Sequence, residues 1–256
     1  MSVEFARLVL EPAYRKVAEV IGARILARTL REGERLPSET ELARQFGVNR
    51  STVREALREL ESRGLVQRRR GSKLMSVSRP QQAAVAGGVS DALLLRDVTV
   101  HDLWEALSIL EPPLAQIAAR SRKAADLVQV SAAAAAFAAS RADSAQAVHH
   151  VAEFFRRLGE ATHNPVLGLA QEPLLQLLEP SLRVMIGKLP QAPARIATAQ
   201  RRILEALEAR DEESARTWMT RHISDFRKGY ELAGIELEMR VTSRPAALKA
   251  RTPALT

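Results

Sequence analysis

The sequence predicts a mainly α-helical protein, in which three helices and a two-stranded wing precede an all-helical antiparallel bundle of six to seven helices. Three observations predict this fold class. Residues 34–73 contain two short amphipathic helical patterns, a glycine break and an arginine-rich hairpin pattern. From residue 91 to about residue 234, apolar residues recur at helical spacing without strand-like alternation. Between these regions, residues 78–90 combine Pro, Gly, Ser and other small residues, as a linker does.

Capping residues mark the three N-terminal helices. The first helix begins at Pro12, and a Ser-x-x-Glu capping box at Ser38 and Glu41 predicts the start of the second. Asn49 is the expected N-cap of the third helix, which Gly64 ends. One face of the first helix is apolar and consists of Val17, Val20, Ile21 and Ile25. The third helix has an apolar inner face of Val53, Leu57 and Leu60, and its outer face carries Arg50, Arg54 and Arg58. A hairpin over residues 65–77 follows, with its turn at Arg70-Gly71.

Positive charge is concentrated in the first third of the chain. The net charge is +8, and residues 1–80 hold 17 Lys+Arg against 10 Asp+Glu, whereas the remainder holds 21 against 20. A basic patch confined to one segment is expected of a domain that binds nucleic-acid phosphates. The alternative, a generally basic solvated surface, does not predict so uneven a division.

The composition excludes several classes of protein. The chain has 256 residues and no cysteine, which excludes disulfides, thiolate zinc fingers and cysteine nucleophiles. No apolar run approaches the roughly twenty residues that a membrane-spanning helix needs, and the N-terminus lacks the apolar core of a signal peptide. We therefore expect a cytoplasmic protein without a membrane partner and without a cofactor.

The third helix has the properties of a DNA recognition helix, which needs an apolar inner face and polar or cationic residues at its N-terminal end. Asn49, Arg50, Ser51, Thr52 and Arg54 lie at that end. Arginine can read guanine through two hydrogen bonds, and hydroxyl groups suit phosphates or base edges. Arginines 68–70 would place a cationic wing in the adjacent groove. The alternative is an ordinary three-helix fragment with a solvated basic face.

These residues resemble the GntR family of bacterial transcription regulators. The matching stretches are RLPSE at 35–39, LA at 42–43, VNRSTVREAL at 48–57, Leu60, and GLV at 64–66. The resemblance covers roughly residues 12–78, and it implies DNA contacts by Thr40, Arg50, Ser51, Thr52, Arg54, Arg70 and Gly71. The chain departs from the family at Asn49, where Ser is usual, and after Gly71, where many members have a second glycine.

The second region divides into six predicted helices, at residues 100–121, 123–140, 143–163, 165–187, 194–209 and 211–233. The expected domains are residues 1–78 for DNA binding, 79–99 as a linker and short helix, 100–234 as a helical domain and 235–256 as a disordered tail. The helical domain resembles the FCD-type ligand-sensing domain of the FadR subfamily. The supporting residues are DLWE at 102–105, LE at 110–111, Phe154, Leu158, Ala161, Asn164-Pro165, Ile203-Leu204, Asp211, Met219 and His222.

Many FCD-type domains hold a divalent metal through one Asp and three His. The corresponding positions here are Val151, Phe155, Gln200 and His222, of which His222 alone is a usual metal ligand. An arginine usual in the first helix of the domain corresponds to Leu107. The resemblance therefore implies that the metal site is lost and that a more apolar effector pocket is left. Trp218, four residues before His222, could line this pocket with it, or both could simply pack in the core.

Other polar residues near these positions leave alternatives open. His149 and Glu153 have metal-ligand spacing, so His149, His150 or His222 could form a non-standard metal site; a solvated helical pair is favoured, because His149 and Glu153 are rotated off the face of 151 and 155. Four arginines could bind an acidic effector or be merely solvated: Arg156, Arg157, Arg201 and Arg202.

The leading functional interpretation is a sequence-specific DNA-binding transcription regulator, a repressor that binds a pseudo-palindromic operator as a homodimer. A small organic effector in the helical domain would modulate that binding. An effector-independent regulator with a decayed pocket is the alternative. An enzyme is disfavoured, because the sequence lacks Gly-x-Ser-x-Gly, His-Glu-x-x-His and a phosphate-binding glycine loop.

Overall fold

The computed structural model describes residues 11–69, 71–140 and 143–242. The chain divides into two compact units, with the boundary between Gln81 and Gln82. The elements are α1 Ala13–Leu26, α2 Glu39–Phe46, α3 Arg50–Ser62, β1 Val66–Arg68, β2 Met75–Val77, α4 Gln82–Leu94, α5 Val100–Ser121, α6 Ala124–Ala139, α7 Ser144–Ala161, α8 Pro165–Lys188, α9 Ala192–Ala209 and α10 Glu212–Leu232. Three helices and a two-stranded sheet thus precede seven helices among the described residues, which confirms the predicted fold class.

The inner face of α3 is the centre of the first unit. Val53 and Leu60 are completely buried, and both α1 and α2 pack against α3. From α1, Val17 and Ile21 enter this core. Val20, which we predicted on the same face, is 42% exposed, because α1 buries only a narrow stripe against its neighbour.

The turns that separate α2 and α3 follow the predicted residues, although the caps differ in detail. Gly47 ends α2 in a left-handed conformation (φ 66°) that side chains disfavour. The Ser38 hydroxyl accepts from the Glu41 amide at 3.2 Å, but the reciprocal half of the predicted capping box is wrong, because the Glu41 carboxylate pairs with Arg44 and Gln45. Asn49 occupies the N-cap position of α3, but its side chain makes no capping hydrogen bond.

The hairpin after α3 is antiparallel, with Gln67 opposite Ser76. A preceding loop extends this small sheet, because the Leu36 amide donates to the Met75 carbonyl at 2.9 Å and the Val77 amide donates to the Glu34 carbonyl at 2.8 Å. The hairpin is therefore fixed to the segment that leads into α2. Arg70 lies outside the described residues.

Residues 82–94 form α4, so the short helix predicted within residues 79–99 takes up most of the segment that we predicted as linker. This helix packs on α8, where Ala86 and Ser90 are buried and the Ser90 hydroxyl contacts the Pro173 carbonyl at 3.3 Å. Small side chains allow that close approach, but they carry almost no hydrophobic periodicity, so the sequence indicated a short helix within residues 79–99 without its bounds.

Part of the segment predicted as a disordered tail is also ordered. Ile235 and Val241 are buried, and the amides of Val100 and His101 donate to the carbonyls of Met239 and Leu237 at 2.9 and 2.8 Å. Residues 235–242 therefore pack against the start of α5, and the prediction is wrong for them. Residues 243–256 lie outside the described residues.

The other six helices of the second unit agree with the predicted boundaries to within two residues. Helix α5 packs against α10, and neighbouring helices in the chain, α6 with α7, α7 with α8 and α9 with α10, pack as pairs. Phe137, Phe154 and Phe155 are completely buried between them. Within the described ranges, none of the helices combines the length and apolar character that crossing a membrane requires.

A buried carboxyl group joins three of these helices. Glu111 of α5 is completely buried, and the Gln171 amide of α8 donates to its two carboxyl oxygens at 3.1 and 3.0 Å and to the Phe155 carbonyl of α7 at 3.1 Å. Burial disfavours the charged form and raises the pKa of Glu111 from its ordinary 4.5 to about 8. The folded protein therefore holds Glu111 protonated at neutral pH.

Glu111→Gln should flatten the pH dependence of the free energy of unfolding. The folded pKa lies above the unfolded pKa, so the stability that Glu111 contributes is fully present below about 4.5 and is lost as the pH rises through about 8. Between pH 4.5 and about 8, the free energy of unfolding of the wild type should therefore fall by on the order of a few kcal/mol relative to that of Glu111→Gln. Urea denaturation between pH 5 and 9 measures this, with the exposed Glu105→Gln on the same helix as control. Parallel curves for wild type and Glu111→Gln would contradict a buried, protonated Glu111.

Candidate nucleic-acid interface and ligand cavity

The structure places the predicted DNA contacts at the surface of the first unit. Thr40 is the second residue of α2, Asn49 to Arg54 lie at the start of α3, and Gly71 lies in the hairpin turn, whereas Arg70 lies outside the described residues. Thr40, Asn49, Arg50, Ser51, Arg54 and Gly71 are exposed, and Thr52 is half-buried. Because the inner face of α3 is anchored in the core, its polar face is turned to solvent along its first turns.

The N-terminus of α3 suits an anion. Its first turn contains no acidic residue, and the Asn49 side chain at the N-cap does not satisfy the amides there. The free N–H groups and the positive end of the helix dipole favour a phosphate group. The Asn49 amide group also keeps its hydrogen-bonding capacity for an external partner.

Glu39, which we did not predict as a site residue, lies against the arginines of α3. Its carboxylate accepts hydrogen bonds from Arg54 Nη2 at 3.0 Å and Arg54 Nε at 3.3 Å, and it is 4.0 Å from Arg50 Nη2. The hydrogen bond from Arg54 lowers the pKa of Glu39 and outweighs the opposing effect of burial. Glu39 is therefore ionised at neutral pH. The only sequence feature that could have indicated a role for Glu39 is its position in the first turn of α2, beside an otherwise cationic surface.

A cleft of about 340 Å³ opens between α3 and the hairpin. Its lining residues are Glu39, Arg54, Leu57, Arg58, Glu61, Arg68 and Met75. Arg58 and Arg68 thus join Arg54 around one concave surface. Arg68 was predicted as part of the cationic wing, whereas Arg58 was not among the predicted contacts. The i, i+4 spacing of Arg54 and Arg58 on one helix face could have indicated this.

In the second unit, the structure buries five of the predicted pocket residues. Leu107, Val151, Phe155, Gln200 and His222 are at most 1% exposed and come from α5, α7, α9 and α10. The Phe155 ring stacks on the His222 ring, with centroids 5.6 Å apart, and Phe226 approaches His222 to 4.7 Å. Aromatic and aliphatic groups therefore surround the histidine.

Two of these residues leave polar atoms unsatisfied. In the part of the chain that the structure describes, both amide atoms of Gln200 and Nε2 of His222 have no hydrogen-bond partner. Burial lowers the pKa of His222 to about 3, so its ring is neutral at physiological pH. The antiparallel pairing of α9 and α10 about the Arg210 turn places both residues at a similar level of the helix pair.

The space beside His222 is small. A cavity of about 30 Å³ is lined by residues of α8, α9 and α10, including Met185, Ile196 and Phe226. This volume exceeds the roughly 10–15 Å³ that one water needs, but it is well below a metabolite-sized site. A larger ligand would require α9 or α10 to move.

Metal-ligating groups do not converge in the described ranges, where no three His, Cys, Asp or Glu side chains lie close enough to hold an ion. His149 is exposed, and Glu153 is engaged by Arg157 at 2.6 Å and by Arg156 at 3.6 Å. Arg156 also pairs with Glu172 at 2.8 Å, which gives it a structural partner. Loss of the metal site stays a prediction.

Of the six predicted pocket residues, only His222 is among the described residues that line the cavity of about 30 Å³, and Trp218 lies elsewhere. It is half-buried and contributes to an outer groove of about 280 Å³ with Thr198 and Asp225. The guanidinium groups of Arg221 and Arg202 lie 4.8 and 5.7 Å from its ring centroid. The sequence spacing Trp218-x-x-x-His222 suggested a shared pocket, but the two residues line separate spaces, and Arg195 and Asp225 border both.

Comparison with known proteins agrees with both units. Residues 13–74 match the family of bacterial regulatory proteins described as the gntR family, and residues 102–225 match the FCD domain. Together these two matches cover most of the chain. They correspond closely to the two regions that the sequence motifs indicated.

Curated relatives are named as regulators. The Uxu operon transcriptional regulator of Escherichia coli is 32% identical over 60% of this chain and 60% of its own length. The regulator LutR of Bacillus subtilis is 28% identical over 77% of this chain and 91% of its own length. The repressor NanR of Cronobacter sakazakii is 34% identical, with 63% of each chain covered. The chain thus spans less than two thirds of the first and third of these relatives.

Among solved structures, a Streptococcus agalactiae GntR protein has a TM-score of 0.63 at 23% identity, covering 84% of this chain and 99% of its own. At that identity the likeness shows the fold alone.

Gln200→Leu should raise the free energy of unfolding by about 1–3 kcal/mol, because it replaces unsatisfied buried polar atoms with an apolar side chain of similar size. Gln171→Leu is the matched control; it should destabilise the protein, because the Gln171 amide is fully engaged with Glu111 and Phe155. Chemical denaturation measures both. If Gln200→Leu destabilised the protein as much as Gln171→Leu, a bound molecule would already satisfy Gln200.

Proposed function

The chain belongs to the GntR family of bacterial regulatory proteins and carries an FCD domain, and from this membership we propose that it represses transcription by binding a pseudo-palindromic operator as a homodimer. The family and the named relatives are transcription regulators, so the chain is a DNA-binding regulator and not an enzyme. The narrower assignment to the FadR subfamily stays a prediction. We also propose that the protein works in the cytoplasm, where its operator would be.

The observation that carries the operator proposal is the exposed polar face of α3 above a completely buried apolar face. We assign base and phosphate contacts in the major groove to Asn49, Arg50, Ser51, Thr52 and Arg54, with Thr40 beside them, and contacts in the adjacent groove to Arg70 and Gly71. A two-fold dimer would place two such helices about 34 Å apart, one turn of DNA. The operator should therefore contain two inverted half-sites.

Repression is the simplest consequence of such binding, because a dimer on an operator excludes polymerase from overlapping DNA. The relatives' names include a repressor and, in Escherichia coli, a Glc operon activator that is 27% identical over 89% of this chain. Transcription in vitro from a promoter that carries the selected operator decides between repression and activation. Less transcript on addition of the protein supports repression, and more transcript supports activation.

The proposed effector would bind in the second unit, at the level of Gln200 and His222. Their unsatisfied polar atoms supply a hydrogen-bond donor and acceptors in otherwise apolar surroundings, which favours an uncharged polar group over a carboxylate. Binding would alter the packing of α9 against α10 and shift the population of DNA-competent dimers. Leu107 and Val151 would form the apolar side of the pocket.

A second candidate function is regulation without an effector. It is favoured by the small cavity of about 30 Å³ and by the large apolar side chains at positions 151 and 155. Titration of the protein–operator complex with uncharged metabolites separates the two. An effector-dependent regulator should change operator affinity at least fivefold, a coupling of roughly 1 kcal/mol, and Gln200→Leu should abolish that change. An affinity unaffected by any metabolite supports the second candidate.

Arg54→Ala should weaken specific DNA binding. Duplexes selected by the full-length protein from a randomised pool provide the operator, and fluorescence anisotropy gives its affinity. We expect a loss of about 1–3 kcal/mol per protomer if Arg54 reads a base. Binding should also fall steeply with salt, because phosphate contacts release counterions.

The matched control is Arg201→Ala, which removes the same charge from an exposed arginine of the helical unit and should leave operator affinity nearly unchanged. Equal affinities for wild type, Arg54→Ala and Arg201→Ala would remove Arg54 from the interface. A single protein chain per selected duplex, measured by mass photometry, would contradict the dimer.

A further inference from the structure

Glu39 and Arg54 form a pair between the first turn of α2 and the outer face of α3. Fifteen positions separate them in the sequence, and the crossing of the two helices brings them together. The Glu39 side chain is 22% exposed and the Arg54 side chain 51%. The acidic partner thus lies in the protein surface, while the arginine extends beyond it.

The hydrogen bonds occupy one particular edge of the guanidinium group. Nε and Nη2 of Arg54 both donate to Oε2 of Glu39, at 3.3 and 3.0 Å. An arginine has five N–H donors in a fixed planar fork. The opposite pair of donors, on Nη1 and the outer side of Nη2, therefore stays available, and that pair has the geometry for the O6 and N7 acceptors of guanine.

We propose that Glu39 is a positioning residue that holds Arg54 in the orientation in which its free edge reads a guanine in the major groove. This inference rests on the proposed function, because it requires that α3 binds DNA. A free arginine side chain loses much rotamer freedom when it binds a base, whereas one held by Glu39 is already ordered. The carboxylate also reduces the attraction of this surface for DNA of any sequence. Glu39 therefore increases specificity rather than general affinity.

Other charges around Glu39 do not replace Arg54 as its partner. Arg50 Nη2 is at 4.0 Å, beyond hydrogen-bond distance, and Arg68 acts on the carboxylate through its charge alone. Glu61 also lines the cleft beside Arg54, but only the Glu39 carboxylate is hydrogen-bonded to the guanidinium group among the described residues. The orientation of Arg54 consequently depends on one side chain.

Glu39→Gln tests the proposal, because glutamine keeps the size of the side chain but removes the charge and one acceptor oxygen. The matched control is Glu41→Gln, which makes the same change in charge on the same helix, where the carboxylate pairs with Arg44 and Gln45 instead. Full-length wild type and both variants select duplexes from a randomised pool. Each is then titrated with the selected duplex, with duplexes substituted at single guanines, and with a random duplex.

We expect Glu39→Gln to lose roughly tenfold of the preference for guanine at one position in each half-site, about the lower end of what one bidentate pair supplies. Both variants should gain affinity for the random duplex to the same extent, because both lose one negative charge per protomer. In an Arg54→Ala background, Glu39→Gln should have no further effect on base preference. Glu39→Asp, which withdraws the carboxylate but keeps its charge, should lose the same preference without the gain for random DNA.

The outcomes separate the inference from the function on which it rests. If the wild type selects no sequence, the proposed function fails. If the wild type selects an operator and Glu39→Gln reads every base as Glu41→Gln does, the positioning role is wrong. Thermal unfolding monitors folding of each variant, and Glu39→Asp decides the matter should Glu39→Gln prove unfolded.

Discussion

Burial of the inner face of α3 is the constraint on which the first unit depends. Complete burial of a Val or Leu side chain contributes about 1.5–3 kcal/mol, and Val53, Leu57 and Leu60 are all buried. An exposed ion pair contributes about 0–1 kcal/mol. The apolar contacts therefore decide how α3 is rotated, and that rotation alone turns Arg50 and Arg54 outward. The pair of Glu39 with Arg54 is too weak to place the helix, but it is strong enough to orient one side chain on it.

In the second unit, buried polar side chains differ in whether they have hydrogen-bond partners. Glu111 is buried, but both of its carboxyl oxygens accept a hydrogen bond from Gln171, so this polar contact joins α5, α7 and α8. Gln200 and His222 are buried as deeply, but both amide atoms of Gln200 and Nε2 of His222 lack hydrogen-bond partners among the described residues. A buried unsatisfied polar group costs about 1–3 kcal/mol. A purely structural core would be expected to lose such unsatisfied groups through mutation. Two of them on the helix pair α9 and α10 are what supports the proposal that an effector binds there.

Much of this architecture could be predicted from the sequence because it rests on local patterns. Periodic apolar residues, prolines and capping residues gave six helix boundaries of the second unit to within two residues. The GntR-like motif gave the surface of α3. The bounds of helix α4 and the order of residues 235–242 escaped prediction, because small side chains and single buried residues leave little periodicity. Their order comes from long-range contacts with α8 and α5.

The candidate sites were less predictable than the helices. Sequence spacing suggested that Trp218 and His222 line one pocket, yet His222 borders the small cavity and Trp218 the outer groove. The role of Glu39 requires a contact over fifteen positions, which no helical period contains. Motifs thus identified the residues that would meet DNA, whereas only the packed structure identified the residue that orients one of them.

Hydrogen–deuterium exchange of the full-length protein, with and without its selected duplex, tests most directly whether α3 is the DNA-reading element. Backbone amides of residues 49–54 should exchange more slowly in the complex, because the duplex covers the exposed N-terminal turns of α3. Amides of α9 and α10 should change far less in the absence of an effector. Protection confined to residues beyond 82, with residues 49–54 unchanged, would contradict the assignment of DNA binding to α3.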